Sequence, residues 1–203
     1  ELVLDQNFSN LIESKSLPST WLEPNLESVI ALWSEYIEDF DISINWIQIA
    51  IEFIYEHRDD IDKNMDVLKT LPLVLQENGQ LKNFGIDLYN RSALVLPKKY
   101  ENHKKIFIEK LGINFVHQSL SGLYKKLVQD SLIAELNSST VAKLMTLHYP
   151  SIDFQNDEIR ETLIEIIAYD ISWIDEFNEK QMSRFKQVPF IKTVSDKLYS
   201  LSE

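Results

Sequence analysis

The sequence predicts an α+β fold, mainly helical with small antiparallel β-hairpins, organised as two echoed helix–hairpin units. The first supporting observation is residues 71–84, LPLVLQENGQLKNF, where leucines alternate with other residues. Asn78-Gly79 favours a type I′ turn, since both residues tolerate positive φ. The second is a related stretch near the end of the chain. The third is helical apolar spacing over most of the remaining sequence.

The related stretch covers residues 188–201, VPFIKTVSDKLYSL. Pro72 and Pro189 match at a separation of 117 positions, and Leu81 and Leu198 match at the same separation. The match extends into the preceding helix, where Met65 and Leu68 correspond to Met182 and Phe185. An internal repeat indicates a repeated structural unit.

Helical spacing predicts three helices before the first hairpin, over residues 26–40, 43–56 and 60–69. Asn25 is placed to cap the first of them. The second helix is apolar over much of its surface, which indicates burial between other elements. Trp21 precedes these helices, and we expect it to pack on the core.

The middle of the chain predicts a strand within residues 86–96, a helix over 98–111 that ends at Gly112, and a strand over 113–116. Further helices are expected over 120–136 and after a cap at Ser139 or Thr140. A long apolar stripe from Ile159 to Phe177, including Ile171 and Ile174, and a helix over 179–187 lead into the second hairpin.

We divide the chain into a first helix–hairpin unit, residues 1–110, and a helical region with the second unit, residues 111–203. The alternative is one continuous domain. A chain of 203 residues has room for either arrangement. Because it starts at Glu1 rather than Met and stops just after the second hairpin, we expect an excised segment of a larger protein.

Composition disfavours several classes of function. The net charge of −12 argues against nucleic-acid binding, which depends on Lys and Arg neutralising phosphates, and against docking on an anionic membrane. The chain has no Cys, so disulfides, thiolate metal sites and a Cys nucleophile are excluded. No run of 18 apolar residues is present. We expect a cytoplasmic protein.

No catalytic, cofactor-binding or metal site is predicted, and no cofactor is expected. The sequence lacks a dinucleotide-binding or phosphate-binding glycine loop and a nucleophile-elbow motif. His57, His103, His117 and His148 lack the spacing of a helical metal site. We expect the first two to be exposed and the last two to be packing residues.

Charged clusters have structural explanations. The acidic group of Asp59, Asp60 and Asp62 suits a helix N-terminus better than a calcium loop, because it lacks the glycine and the distal Glu. The pairs Asp157/Glu158 and Glu161/Glu165 are expected on a solvated helix face. The same holds for the basic cluster, for which phosphate binding is the alternative (Lys98, Lys99, Lys104 and Lys105).

The two hairpin stretches resemble the "aliphatic-Pro-aliphatic-x-x-x-(Asp/Asn)-Gly-x-Leu" hairpins of sacsin and sacsin-like proteins. Residues 17–21, LPSTW, and the helix that contains Trp46 resemble the same repeats. The resemblance covers about half of the chain, mainly 17–100 and 157–201. The second copy departs from it, since Ser195-Asp196 replaces the Asn/Asp-Gly turn.

In that family, such segments follow an ATPase domain of the gyrase/histidine-kinase type. The resemblance therefore implies a chaperone-like or scaffolding parent protein. No Asp-x-Gly-x-Gly nucleotide loop occurs here, so no catalytic residue is carried over.

Three hypotheses follow for the function. The first is a non-catalytic interaction or scaffold segment of a large chaperone-like protein, with protein partners or other domains of the same chain. The second is an acidic, metal-dependent hydrolase or nuclease-like domain. The third is a bacterial effector or defence-system interaction module.

Overall fold

The computed structural model describes residues 25–37, 42–88, 92–193, 195 and 197–202. The expectations for Trp21, for residues 17–21 and for the helix end over 38–41 lie outside these ranges. Within them the fold is α+β, mainly helical with short strands, as the sequence predicts.

The first half opens with three helices that match the predicted order. Helix α1 is Leu26–Tyr36, α2 is Ile44–Glu56 and α3 is Ile61–Leu68. Asn25 caps α1 as predicted, since its side chain accepts a hydrogen bond from the backbone N–H of Ser28. Strands β1, Val74–Leu75, and β2, Leu81–Lys82, then form the predicted antiparallel hairpin.

The turn of this hairpin differs from the expected type I′ turn. Only Gly79 has a positive φ, +81°, and its N–H donates to the carbonyl of Gln76 at 3.0 Å. The loop therefore has three residues, a type I turn followed by a left-handed glycine. The expected alternation of buried and exposed residues along β1 is also wrong, because Val74 and Gln76 are buried together with Leu73 and Leu75.

The middle of the chain contains shorter elements than predicted. Strand β3 is only Leu94–Val95, and the next helix is a 3₁₀ turn, Lys98–His103, followed by α4, Lys104–Glu109. Gly112 follows with φ +64°, in the place predicted for a helix-ending glycine.

The predicted helix over 120–136 is mostly wrong. Helix α5 is Ser121–Lys126, and Ser131 in the following turn has φ +56°. A non-glycine residue in this left-handed conformation interrupts a helix. The chain then extends into β4, Ala134–Glu135, which pairs in parallel with β3.

The second half is helical up to its hairpin. Helix α6 is Ser138–His148 and is capped by Asn137 rather than by Ser139 or Thr140. The remaining elements are α7 (Asp157–Tyr169), α8 (Trp173–Glu176), α9 (Glu179–Phe185), β5 (Ile191–Lys192) and β6 (Leu198–Tyr199). Strands β5 and β6 form the second predicted antiparallel hairpin.

The long stripe expected on this side breaks after Tyr169. Ile171 and Ile174 are 67% and 45% exposed, because α7 ends and the chain turns before α8. Phe177 is buried as predicted, and Trp173 takes the inner position in place of Ile171 and Ile174.

Five short segments run side by side in the centre of the molecule. Isolated bridges join Gln76 to Val116 and Phe115 to Leu94. These bridges place the segments in the order 81–82, 74–76, 115–116, 94–95 and 134–135. Residues 115–116 fall within the predicted strand 113–116.

This central sheet separates two apolar cores. Val95, Val116 and Ile133 belong to the first core with α1, α2 and α3, whereas their chain neighbours Leu94, Phe115 and Ala134 belong to the second with α6 and α7. Successive residues of a strand point to opposite faces, so these three segments contribute to both cores. Val74 and Leu75 of the first hairpin both belong to the first core. Each core contains residues from both sides of position 110, and the division into 1–110 and 111–203 stays a prediction.

Candidate functional site

The two hairpins are structural repeats at the spacing that the sequence indicates. We define the first repeat as residues 61–85 and the second repeat as residues 178–202. Strands β5 and β6 lie 117 positions after β1 and β2. Leu68 and Phe185 are both buried, and Met65 and Met182 are both half-buried.

The backbone hydrogen bonds repeat as well. Leu71 N–H donates to Leu68 O, as Val188 N–H donates to Phe185 O 117 positions later. Gln76 N–H donates to Gln80 O across the first turn, as Thr193 N–H donates to Lys197 O across the second, at 2.8 and 2.9 Å. The shared helix-to-hairpin geometry therefore does not require the Asn-Gly turn.

Residues 114–133 cover the first repeat. On the far side of β1, Glu77 N–H donates to Phe115 O and His117 N–H donates to Leu75 O, at 3.0 and 2.8 Å. Gly85 N–H donates to Leu132 O at 2.8 Å. The hairpin thus continues into the central sheet.

Tyr124 completes this cover. Its hydroxyl donates to Leu73 O at 2.7 Å and accepts from Leu75 N–H at 2.8 Å. The side chain is fully buried, and burial raises the pKa of this phenol. Tyr124 therefore remains a neutral hydrogen-bonding group at any physiological pH.

The second repeat exposes the positions that the first one buries. Ile191 is 40% exposed and Leu201 is 51% exposed, whereas the matching Val74 and Phe84 are 3% and 4% exposed. Tyr199 pairs with Ile191 across the hairpin, so both side chains lie on one face. We call Ile191, Tyr199 and Leu201 the open face.

The same contrast appears at the end of each repeat. Gly85 bonds to Leu132, which lies outside its repeat, whereas the matching Ser202 N–H donates to Lys186 O within its own repeat at 3.1 Å. The end of the second repeat therefore bonds within its own repeat, whereas the end of the first bonds to residues 114–133.

An ion-pair network fixes the second hairpin to α7. The carboxylate of Asp157 lies 2.8 Å from Lys192 Nζ and also pairs with Arg160, which is only 6% exposed. These two cations, Lys192 first, hold the pKa of Asp157 below its ordinary value. Arg160 also donates to Phe154 O at 3.2 Å. Asp157 lies on the exposed helix face that the sequence predicts, and the ion pairs it makes there are not predicted.

Each of the four histidines contacts a hydrogen-bonding or charged partner in the folded chain. His57 Nδ1 lies 2.9 Å from Phe53 O, His117 Nδ1 lies 2.8 Å from Ser119 Oγ, and His148 Nε2 lies 2.8 Å from Leu88 O. His103 Nε2 lies 3.6 Å from Glu165. All four are half-buried, so the expected exposure of His57 and His103 is wrong. Within the described ranges, no three His, Asp or Glu side chains converge as a metal-binding group.

The basic cluster is divided among separate partners. Lys104 pairs with Glu77 at 2.5 Å and so ties α4 to the first hairpin. The ammonium of Lys99 lies over the ring of Tyr169, 3.8 Å from its centroid. Lys98 and Lys105 are exposed. The cluster therefore does not present four converging cations.

The acidic group before α3 behaves as a helix start. Asp60 pairs with Lys63 at 2.7 Å, and this contact holds its pKa below the ordinary value. Asp59 and Asp62 are exposed.

No helix in the described part of the chain is long and apolar enough to cross a membrane.

Comparisons with known proteins add no relative. No protein-family model matches the chain, and neither the curated proteins nor the solved structures yield a match.

Proposed function

We propose that the chain is a non-catalytic interaction segment of a larger, chaperone-like cytoplasmic protein. Its partners are other proteins or other domains of the same chain, and the open face of the second repeat is its contact surface. The resemblance to sacsin-like repeats supports the chaperone-like parent. The comparison of the two repeats supports the contact surface.

The observation that carries the proposal is the unequal cover of two matching hairpins. Residues 114–133 bury the first repeat, but Ile191 and Leu201 in the second remain exposed. The unpaired edge of a hairpin strand is a recurrent site for an added strand, whose alternate side chains then pack on the neighbouring exposed face.

The cover of the first repeat indicates the chemistry of the partner. Residues 114–117 supply an extended strand, and Tyr124 supplies a hydroxyl from a following helix. The partner of the open face is accordingly an extended apolar segment of a protein, followed by an aromatic residue that can hydrogen-bond to the hairpin backbone.

A peptide that copies residues 112–128, GINFVHQSLSGLYKKLV, tests this proposal as a fluorescent probe. We expect the intact chain to bind it and Ile191→Asp to weaken binding at least about tenfold, because a carboxylate would be buried in an apolar contact. The matched control is Ile44→Asp, since Ile44 is 45% exposed on α2, far from this hairpin in sequence. Equal binding by both variants, or none by the intact chain, would contradict the proposal.

The non-catalytic part has its own test. We expect residues 1–203 to hydrolyse no ATP above a protein-free blank. Hydrolysis that follows the chain through successive purification steps would overturn this part while leaving the peptide result unaffected.

A further inference from the structure

A buried acceptor without a donor lies beside the first hairpin. The side chain of Gln76 is 1% exposed, and in the described part of the chain no group donates to its Oε1. Both of its backbone groups are hydrogen-bonded, since its N–H donates to Gln80 O and its carbonyl accepts from Gly79 N–H. Buried polar atoms in folded proteins are nearly always hydrogen-bonded, so this oxygen indicates a missing partner.

Gln76 lines a groove of about 870 Å³ between the return strand β2, the loop after it and residues 112–114. Ligand sites commonly occupy 300–1,000 Å³. The wall includes apolar side chains, among them Ile86, which is 46% exposed. The groove therefore has the size and mixed lining of a binding site for a short peptide or small molecule.

The charge of the groove is opposite to that of the chain as a whole. Lys69 and Lys82 both line it, and the described residues provide no ion pair for either ammonium. The acidic side chain in the lining is Asp87, whose backbone N–H donates to Ser92 Oγ at 2.6 Å. In a chain of net charge −12, two lysines beside one buried acceptor favour an anion that carries its own donor.

We propose that this groove binds the free C-terminus of a peptide. The terminal carboxylate pairs with Lys69 and Lys82, and an apolar terminal side chain packs against Ile86. The Gln76 side chain, whose Oε1 is buried in the free chain, turns into the groove to accept the last amide N–H. Capture of a terminal carboxylate is an established mode of peptide recognition. The site is separate from the open face of the second repeat.

The test uses a synthetic peptide ending in Ala-Ala-Leu with a free carboxylate, titrated into ¹⁵N-labelled chain at millimolar concentration. We expect chemical-shift changes at the Gln76 side-chain amide and at the Gly85 N–H. The same peptide with a C-terminal amide should bind at least about tenfold more weakly, because it lacks the charge. Inorganic phosphate and acetate serve as probes for a site that takes any anion.

Variants separate a peptide site from a groove that holds only water. Gln76→Leu should keep the fold, since it removes a polar atom that lacks a donor, but it should lose most of the affinity for the peptide. Lys69→Gln and Lys82→Gln should each weaken binding, while Lys105→Gln, an exposed lysine outside the groove, should not.

Four results would overturn the proposal. These are no shifts with the free-carboxylate peptide at millimolar concentration, equal shifts with the amidated peptide, equal shifts with phosphate or acetate alone, and unchanged peptide affinity in Gln76→Leu. Ile191→Asp should leave this binding unchanged, so failure here and failure of the proposed interaction surface are distinguishable.

Discussion

The hydroxyl of Tyr124 satisfies two backbone groups of the first hairpin, the carbonyl of Leu73 and the N–H of Leu75. We expect Tyr124→Phe to lower the free energy of unfolding by about 1–3 kcal/mol, because both groups would stay buried without a partner. Urea denaturation followed by circular dichroism measures this change.

The control for this variant is Tyr149→Phe. Tyr149 is 37% exposed, so loss of its hydroxyl should change stability by no more than about 0.5 kcal/mol. Equal effects of the two substitutions would show that the buried hydroxyl contributes nothing specific to the hairpin.

Leu73 is fully buried in the first core. We expect Leu73→Ala to cost about 2–5 kcal/mol, the range for a large-to-small change that leaves a cavity. Val67→Ala on the 39% exposed face of α3 is the comparison, with an expected change within about 0.5 kcal/mol. A near-zero loss for Leu73→Ala would contradict its position in the core.

The sequence predicts the burial of Leu73 correctly, because a leucine at alternate positions of a strand usually faces a core. It gives the wrong environment for Gln76, which alternation places on the outer side. Val116 pairs with Gln76 from 40 positions away and buries it. Such long-range cover leaves no signal in the local pattern, so the groove beside Gln76 was not predictable.

At the scale of elements, the Asp157 network fixes the second hairpin to α7. The pKa of Asp157 is lowered in the folded chain. The stability that its ionised carboxylate contributes is therefore complete above the ordinary Asp pKa of about 3.9 and is lost as pH falls through the lowered pKa. We expect Asp157→Asn to be less stable than the natural chain at pH 5–7. The difference in urea midpoint should shrink as pH falls below about 4.

Asp66→Asn is the control, because Asp66 is exposed in the second half of α3, away from its N-terminus, and pairs with no cation in the described part of the chain. Its difference from the natural chain should stay near zero at neutral pH. A stability gap for Asp157→Asn that persists unchanged at pH 3 would exclude the ionised carboxylate as its cause.

Long, capped helices were the predictable elements, as α1 and α2 show with caps at Asn25 and Ser43. The parallel pair β3–β4 was not. Each strand has two residues, and Ala134–Glu135 follows Leu132 at a spacing that also suits a helix. The left-handed conformation of Ser131 stops a helix and lets the chain extend into β4. Serine carries no strong preference for that conformation, so the sequence does not indicate it.

At the scale of the whole molecule, the central sheet couples the two cores. Leu94 and Val95 are consecutive, yet each belongs to a different core. We therefore expect a single cooperative unfolding transition. Trp33 and Trp46 lie in or against the first core and Trp173 lies in the second, so fluorescence can follow each core separately.

The measurement compares urea transitions in two variants that both carry Trp21→Phe. Adding Trp173→Phe leaves the tryptophans of the first core, and adding Trp33→Phe and Trp46→Phe leaves the tryptophan of the second. In each variant, fluorescence and circular dichroism should give the same midpoint. Midpoints that separate within one variant would favour two independent domains, as in the division at residue 110.

The interleaved cores also determine when the chain can fold during synthesis. The first core needs Leu132 and Ile133 to be complete, although its hairpin ends near Phe84. A ribosome adds about 5–20 residues each second, so the hairpin leaves the exit tunnel several seconds before its covering strand. For that interval the nascent chain presents the same uncovered hairpin that the finished molecule retains only in its second repeat.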